Sequence, residues 1–290
     1  MSAVVEPLVW LPLSEWFDPR NWTWRLPVVI GLSWLVVGYL VGSIRLQHRR
    51  PMRAVWRRIT CWTVGVGMLG LALLSPLDEF GGLFFSWHMV QHLVLLYAAP
   101  VLLLGWPFAV LLWALPRRLR QAVGRALGRS SPGGRLLRVL TSPASALGAG
   151  IVSLWVWHFP PLYDAVLTRR WLHDIEHITF FLGALLYWWP LVGVPPVSGR
   201  FRTEGGRVFY LVLYGSQAGL LGALVTFWPG VLYHRYLVER ALPADRLLAD
   251  QAFGGLLMWL SGPVVVLLLS LLTLGRTVQH VAEGEVLVPH

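Results

Sequence analysis

Long apolar runs alternate with short polar segments along this chain, at residues 27–44, 59–74, 84–115, 143–159, 171–194, 208–227 and 251–274. A bilayer core about 30 Å thick takes roughly 20 helical residues to cross, and most of these runs fit that length. The second is short and has to borrow a flanking residue or two. The third is too long for one span, yet at about 1.5 Å per residue it reaches only ~48 Å, too little for two spans and a turn. It is expected to be one helix that starts near Phe84 and is disturbed at Pro100 or Pro107. The pattern predicts an all-α fold, a polytopic membrane bundle of about seven transmembrane helices. The layout expected is an extracytoplasmic segment over 1–26, a membrane domain over 27–276 and a cytoplasmic tail over 277–290. Trp10, Trp16, Trp22 and Trp24 cluster in the first segment as an interfacial belt does. Glu6, Glu15 and Asp18 break any compact apolar core there, so it does not resemble a cleaved signal peptide.

Composition agrees with burial in lipid. Hydrophobic residues make up 56% and charged residues 13% of the 290, about half the ~25% charge of an ordinary soluble domain. The net charge is +10, and all 24 basic residues are arginine. Such a balance in a soluble chain points to nucleic acid; here the arginines occupy loops between apolar runs and act as topology signals, so membrane lipid rather than nucleic acid is the expected partner. Of the 24, 17 fall in alternate segments, namely the first, third and fifth loops and the stretch after the last run. The positive-inside rule then puts the N-terminus outside and the C-terminus in the cytoplasm, as an odd number of spans requires. The lack of lysine excludes a retinal Schiff base. A single cysteine, Cys61, excludes an internal disulfide and any multi-cysteine metal site.

The histidines carry the chemistry. His88 and His92 lie four residues apart near the start of the third run, and His173 and His177 share that spacing near the start of the fifth. On a helix this spacing turns both imidazoles of a pair to one face. His158 ends the fourth run, so five of the nine histidines fall at one depth, on the side assigned as extracytoplasmic. Asp78, Glu176 and Asp250 lie at the same level, the first in the loop before the third run. Ionisable groups at membrane depth are costly and generally face the interior for a purpose. Neutral imidazole suits copper, zinc or iron, with carboxylates as ligands or orienting partners. A bis-histidine haem and a proton path are the competing uses of such a set. Soft sulfur is scarce: Met89 is turned about 100° from the His88 face, and Met68 and Met258 are expected in packing. The ligand types favour a transition metal without choosing among copper(II), zinc and iron.

Ser86-Trp87-His88-Met89-Val90-Gln91-His92-Leu93, followed by Ala99-Pro100 and Gly105, resembles the signature of the CtaG-type assembly factors of caa3-type cytochrome c oxidase. His158-Phe159-Pro160 with Leu162-Tyr163-Asp164, then His173 and Glu176-His177, continue the likeness. So do Gln217, Gly222, Tyr233, Tyr236, Asp250-Gln251, Gly254-Gly255 and Met258-Trp259. Trp87 departs from the pattern, where a smaller residue is expected. The resemblance implies a multi-pass protein of the bacterial plasma membrane that matures an oxidase, with oxidase subunits as partners and copper as the metal delivered. It implies His88, His92, His158, His173 and His177 as ligands, and Asp78, Glu176, Asp250, Gln91 and Tyr163 as residues that orient them. A membrane metalloenzyme, a hydroxylase or hydrolase using the same cluster with an open coordination position, is the alternative.

Overall fold

The structure, a computed structural model, describes residues 16, 18–46, 52–105, 107–128, 130–193, 201, 203–239 and 243–282. The expected end segments therefore lie largely outside the described residues: 1–15, with Trp10, and 283–290. Among the described residues the architecture is all helical. The helices are α1 (Leu26–Leu46), α2 (Met52–Leu74), α3 (Pro76–Gly81), α4 (Phe85–Leu104), α5 (Pro107–Ala114), α6 (Arg117–Ala126) and α7 (Pro132–Leu140). They continue as α8 (Pro143–Trp157), α9 (Pro160–Thr168), α10 (Arg170–Val192), α11 (Glu204–Thr226), α12 (Arg235–Glu239) and α13 (Ala244–Ala282).

Several boundaries follow from local sequence. Ser75-Pro76, Ser131-Pro132 and Ser142-Pro143 each place a serine at the N-cap and a proline in the first turn. The serine oxygen accepts a backbone N–H that has no partner in the helix, and proline has none to lose. At the other end of α10, Gly193 closes the helix at φ 69°, a left-handed conformation that glycine adopts at little cost.

Among the described residues, five helices are long and apolar enough to cross a membrane, Leu26–Leu46, Val55–Leu74, Phe85–Leu104, Arg170–Val192 and Glu204–Thr226. A sixth span results if α7 and α8, which meet at 64°, are one broken crossing. The last expected run lies inside α13, whose side chains are described as far as residue 264. The third run departs from expectation. It is two helices rather than one, and Pro100 sits inside α4 without ending it. The break falls at Gly105, and Pro107 opens α5. The reason is packing: α5 folds back on α1, where a Cβ on Gly42 would lie 2.0 Å from the Val110 carbonyl oxygen. Only glycine admits that approach. Asp78, expected in a loop, occupies the first turn of α3 together with Glu79, where acidic side chains favour the positive end of a helix.

α4 is the central element, packed against α2, α3, α10 and α13. α11 and α13 are closely paired, and a Cβ on Gly222 would meet the Gly255 carbonyl oxygen at 2.6 Å. Two buried clusters fill the bundle. One contains Tyr39, Trp62, Leu102, Tyr187, Trp188 and Tyr210. The other contains Phe85, Met89, Leu154, Tyr163, Tyr233 and Met258, and it surrounds the histidines.

Candidate metal centre

Two long helices present the histidine pairs to one another. His88 and His92 project from the first turns of α4, His173 and His177 from the first turns of α10, and these helices pack directly. The ring centroids of His88 lie 4.4 Å from His92, 5.4 Å from His173 and 6.0 Å from His177. All four imidazoles are buried, and Glu176 between the last two is wholly so. Its carboxylate oxygens stand 3.4 Å from His88 Nε2 and 3.6 Å from His92 Nε2. One ligand atom each from His88, His92, Glu176 and His177 lies within 4.8 Å of all the others. Asp78, His173 and His177 form a second group of that kind.

Much of this polar surface is unsatisfied. His88 Nδ1, His92 Nδ1, His173 Nε2, both nitrogens of His177, both oxygens of Glu176 and Gln91 Oε1 are buried without a hydrogen-bond partner. Buried polar atoms in folded proteins are paired in the great majority of cases, because leaving one unpaired costs about 1–3 kcal/mol. One ligand atom each from His88, His92, Glu176 and His177, brought together in a place with so few partners, is an arrangement that a cation satisfies. The donor set, imidazole with carboxylate, fits a transition metal such as copper, zinc or iron.

A frame of satisfied bonds holds these groups. Gln91 Nε2 donates to the Ala72 carbonyl at 2.7 Å and to Asp78 Oδ1 at 2.9 Å. Asp78 also accepts from the Arg170 guanidinium. Arg170 faces Asp174, which accepts from Arg25 at 2.5 Å. This line of charges runs from buried Asp78 to the half-exposed surface. Outside the spans, the Asp174 hydrogen bond holds the Arg25 guanidinium above its ordinary pKa. Asp250 stands at the start of α4, which has no side-chain cap of its own. Its carboxylate accepts from the Phe85 N–H at 2.8 Å and from the Ser86 hydroxyl. It thus supplies from α13 the negative charge that an uncapped helix start favours, and it fixes the turn that carries His88. Tyr163 lies with its ring centroid 5.1 Å from that of His88, and its hydroxyl meets that of Tyr236 at 3.0 Å.

His158 stands apart from both groups. It caps α8, and its ring centroid is 5.8 Å from that of His92. Its Nδ1 donates to the Leu154 carbonyl, and its Nε2 faces Met89 Sδ. His234 is exposed at the start of α12, away from the cluster.

The family model for the cytochrome c oxidase caa3 assembly factor, Caa3_CtaG, matches residues 37–280. The chain belongs to the caa3 oxidase assembly-factor family. Among curated proteins, this chain is 27% identical over 282 residues to an uncharacterised protein of Mycobacterium bovis, covering 90% of this chain and 41% of the relative. An uncharacterised protein of Mycobacterium leprae is 26% identical over 266 residues, covering 86% and 39%. The chain thus spans about two fifths of the length of the curated relatives it matches. No solved structure matches it.

Two features of this family member escape sequence reasoning. Arg170 resembles any interfacial arginine until α3 brings Asp78 to it across 92 residues. Met89, set aside because it points away from His88, points at His158 instead. A helical-wheel projection from α4 alone cannot show what the far side of that helix meets.

Proposed function

We propose that this chain is a plasma-membrane assembly factor for a caa3-type cytochrome c oxidase that holds copper for delivery to an oxidase subunit. His88, His92, Glu176 and His177 would bind the ion, with His173 and Asp78 beside them as an adjoining set. The observation that supports this is the eight buried, unpartnered polar atoms in and around those residues, together with membership of the family. Bound copper would supply a redox-active, transferable ion. The chain's own part is to hold imidazoles preorganised, to keep water out by burial, and to fix Asp78 through Gln91 and Arg170. The arginine distribution favours placing the histidine end on the extracytoplasmic side. The metalloenzyme alternative needs a substrate space beside the ion; the cavity that His92 lines among the described residues has a volume of about 30 Å³.

Metal analysis of the purified protein tests the binding. Near-stoichiometric transition metal is expected in the wild type, and loss from the four-residue group in the His88→Ala/His177→Ala double variant. Folded protein that takes up no copper, zinc or iron would end the proposal. A deletion strain tests the role: its oxidase should be deficient in copper, and normal copper content would refute assembly.

A further inference from the structure

Beside the histidine–glutamate group lies a second convergence of donors, built from sulfur. His158 Nδ1 lies 2.7 Å from the Leu154 carbonyl oxygen. A carbonyl only accepts, so Nδ1 carries the proton, and a neutral ring then has its lone pair on Nε2. A carboxylate beside the ring would favour the doubly protonated form, but among the described residues the contacts of the His158 ring are the Leu154 carbonyl, Met89, and the rings of His92 and Tyr163. An unpaired imidazolium in such a buried place is costly. Nε2 faces Met89 Sδ at 3.4 Å, and a thioether has no proton to give. Two lone pairs therefore point at each other with no hydrogen between them. An ion bonded to nitrogen at about 2.0 Å and to sulfur at about 2.3 Å in tetrahedral geometry sets those two atoms about 3.5 Å apart.

The space for such an ion exists. A cavity of about 30 Å³ is lined by Met89, His92, His158 and Met258 among mostly apolar side chains, with Tyr214 and Ser261 also at its wall, above the roughly 10–15 Å³ that one small occupant requires. These four residues come from α4, the end of α8 and α13. His92 Nδ1 is buried and unpartnered, and Met258 is buried. No carboxylate lines this cavity. Every donor is neutral, so a divalent ion would bring two uncompensated charges into an apolar space and a monovalent ion only one. Thioether and imidazole donors together select copper(I) over zinc or copper(II).

We propose that Met89 and His158, with Met258 and His92 lining the same cavity, form a copper(I) site distinct from the carboxylate-bearing group of His88, His92, Glu176 and His177. This deepens the metal-handling proposal above, and rests on it only for the destination of the ion. His92 belongs to both sites. Its Nε2 faces His88 at 3.0 Å and Glu176 at 3.6 Å, leaving Nδ1 free. It is therefore the residue across which an ion would pass between hard and soft surroundings.

The test is X-ray absorption on the full-length protein in detergent, loaded anaerobically with cuprous ion held by a competing chelator. Wild type should show a sulfur scatterer near ~2.3 Å. Met89→Leu conserves volume in the core, and it should lose that sulfur and weaken cuprous affinity at least about tenfold. Its binding of zinc and cupric ion should be unchanged. His88→Ala/His177→Ala should retain the copper–sulfur signal. Folded wild type loaded with cuprous ion but showing nitrogen and oxygen alone would overturn the proposal, whatever the variants do. Sulfur persisting unchanged in Met89→Leu would overturn the assignment, and its loss in His88→Ala/His177→Ala would overturn the claim of a distinct site. A retained copper–sulfur signal in protein that binds neither zinc nor cupric ion would leave this site standing and remove the function proposed for the other.

Discussion

Two buried regions of this bundle treat their polar groups in opposite ways. Around Tyr39 and Tyr210, toward the ends of the helices that the arginine-rich loops join, hydroxyls are satisfied. Tyr39 donates to the Gly105 carbonyl at 2.6 Å, and Tyr210 to the Tyr187 carbonyl at 2.7 Å. Around His88 and His177 the reverse holds. Eight of the eleven buried unpartnered side-chain atoms among the described residues gather there. Both regions are equally secluded, so burial alone does not explain the contrast. Among the described residues the tyrosine region leaves the indole N–H groups of Trp62 and Trp188 without partners, single donors rather than a cluster of lone pairs, and its bonded hydroxyls contribute stability. The histidine region is held by a frame in which Gln91 donates to Asp78, Asp78 accepts from Arg170 and Asp250 caps α4, while Gln91 Oε1 and the imidazole and carboxylate atoms beside it stay unpartnered.

Four experiments bear on that contrast. The largest effect should come from metal itself. A ligand that binds only the folded state, supplied about a thousandfold above its dissociation constant, stabilises by about 4 kcal/mol. Thermal unfolding of metal-free protein should shift upward on adding copper, and an unchanged midpoint at saturating copper would erase the distinction between the two regions. Next, Glu176→Leu removes a buried carboxylate whose oxygens lack partners. Metal-free protein should then be as stable as wild type or gain about 1–3 kcal/mol, while the metal-induced shift shrinks. Clear destabilisation of the metal-free variant in a denaturation series would show that Glu176 is structural. Asp250→Ala removes the cap of α4 from outside that helix. It should cost about 1–2 kcal/mol, read by denaturant unfolding, and also weaken metal binding, read by calorimetric titration, since His88 sits in the turn it fixes. The smallest effect belongs to the tyrosine region. Tyr210→Phe should cost about 1 kcal/mol and leave metal affinity where it was, and a fall in affinity there would mean that the two regions are coupled.

Much of the fold was legible in the chain because lipid imposes simple rules. Every backbone polar group in a membrane has to be satisfied within its own segment, so apolar runs of the right length become helices. The Ser-Pro pairs marked three helix starts with equal directness. What was illegible depended on partners distant in sequence. The third run divides because α5 folds back on Gly42 of α1, and hydropathy within that run carries no trace of this. The histidine pairs were readable from their four-residue spacing, and their depth from run boundaries. That His158 faces Met89 came from the packing of α8 on α10, and that Asp78 is held by Gln91 and Arg170 came from the docking of α3 and α10 on α4.

By itself, then, the sequence determined the class of the protein, the chemical identity of its donors and the end of the bundle at which they collect. These follow from composition, spacing and run length, all local quantities. Only the tertiary structure decided which lone pairs meet which. Coordination and hydrogen bonding act over about 3 Å, a distance shorter than the gap between neighbouring helices, so helix packing alone selects the partners.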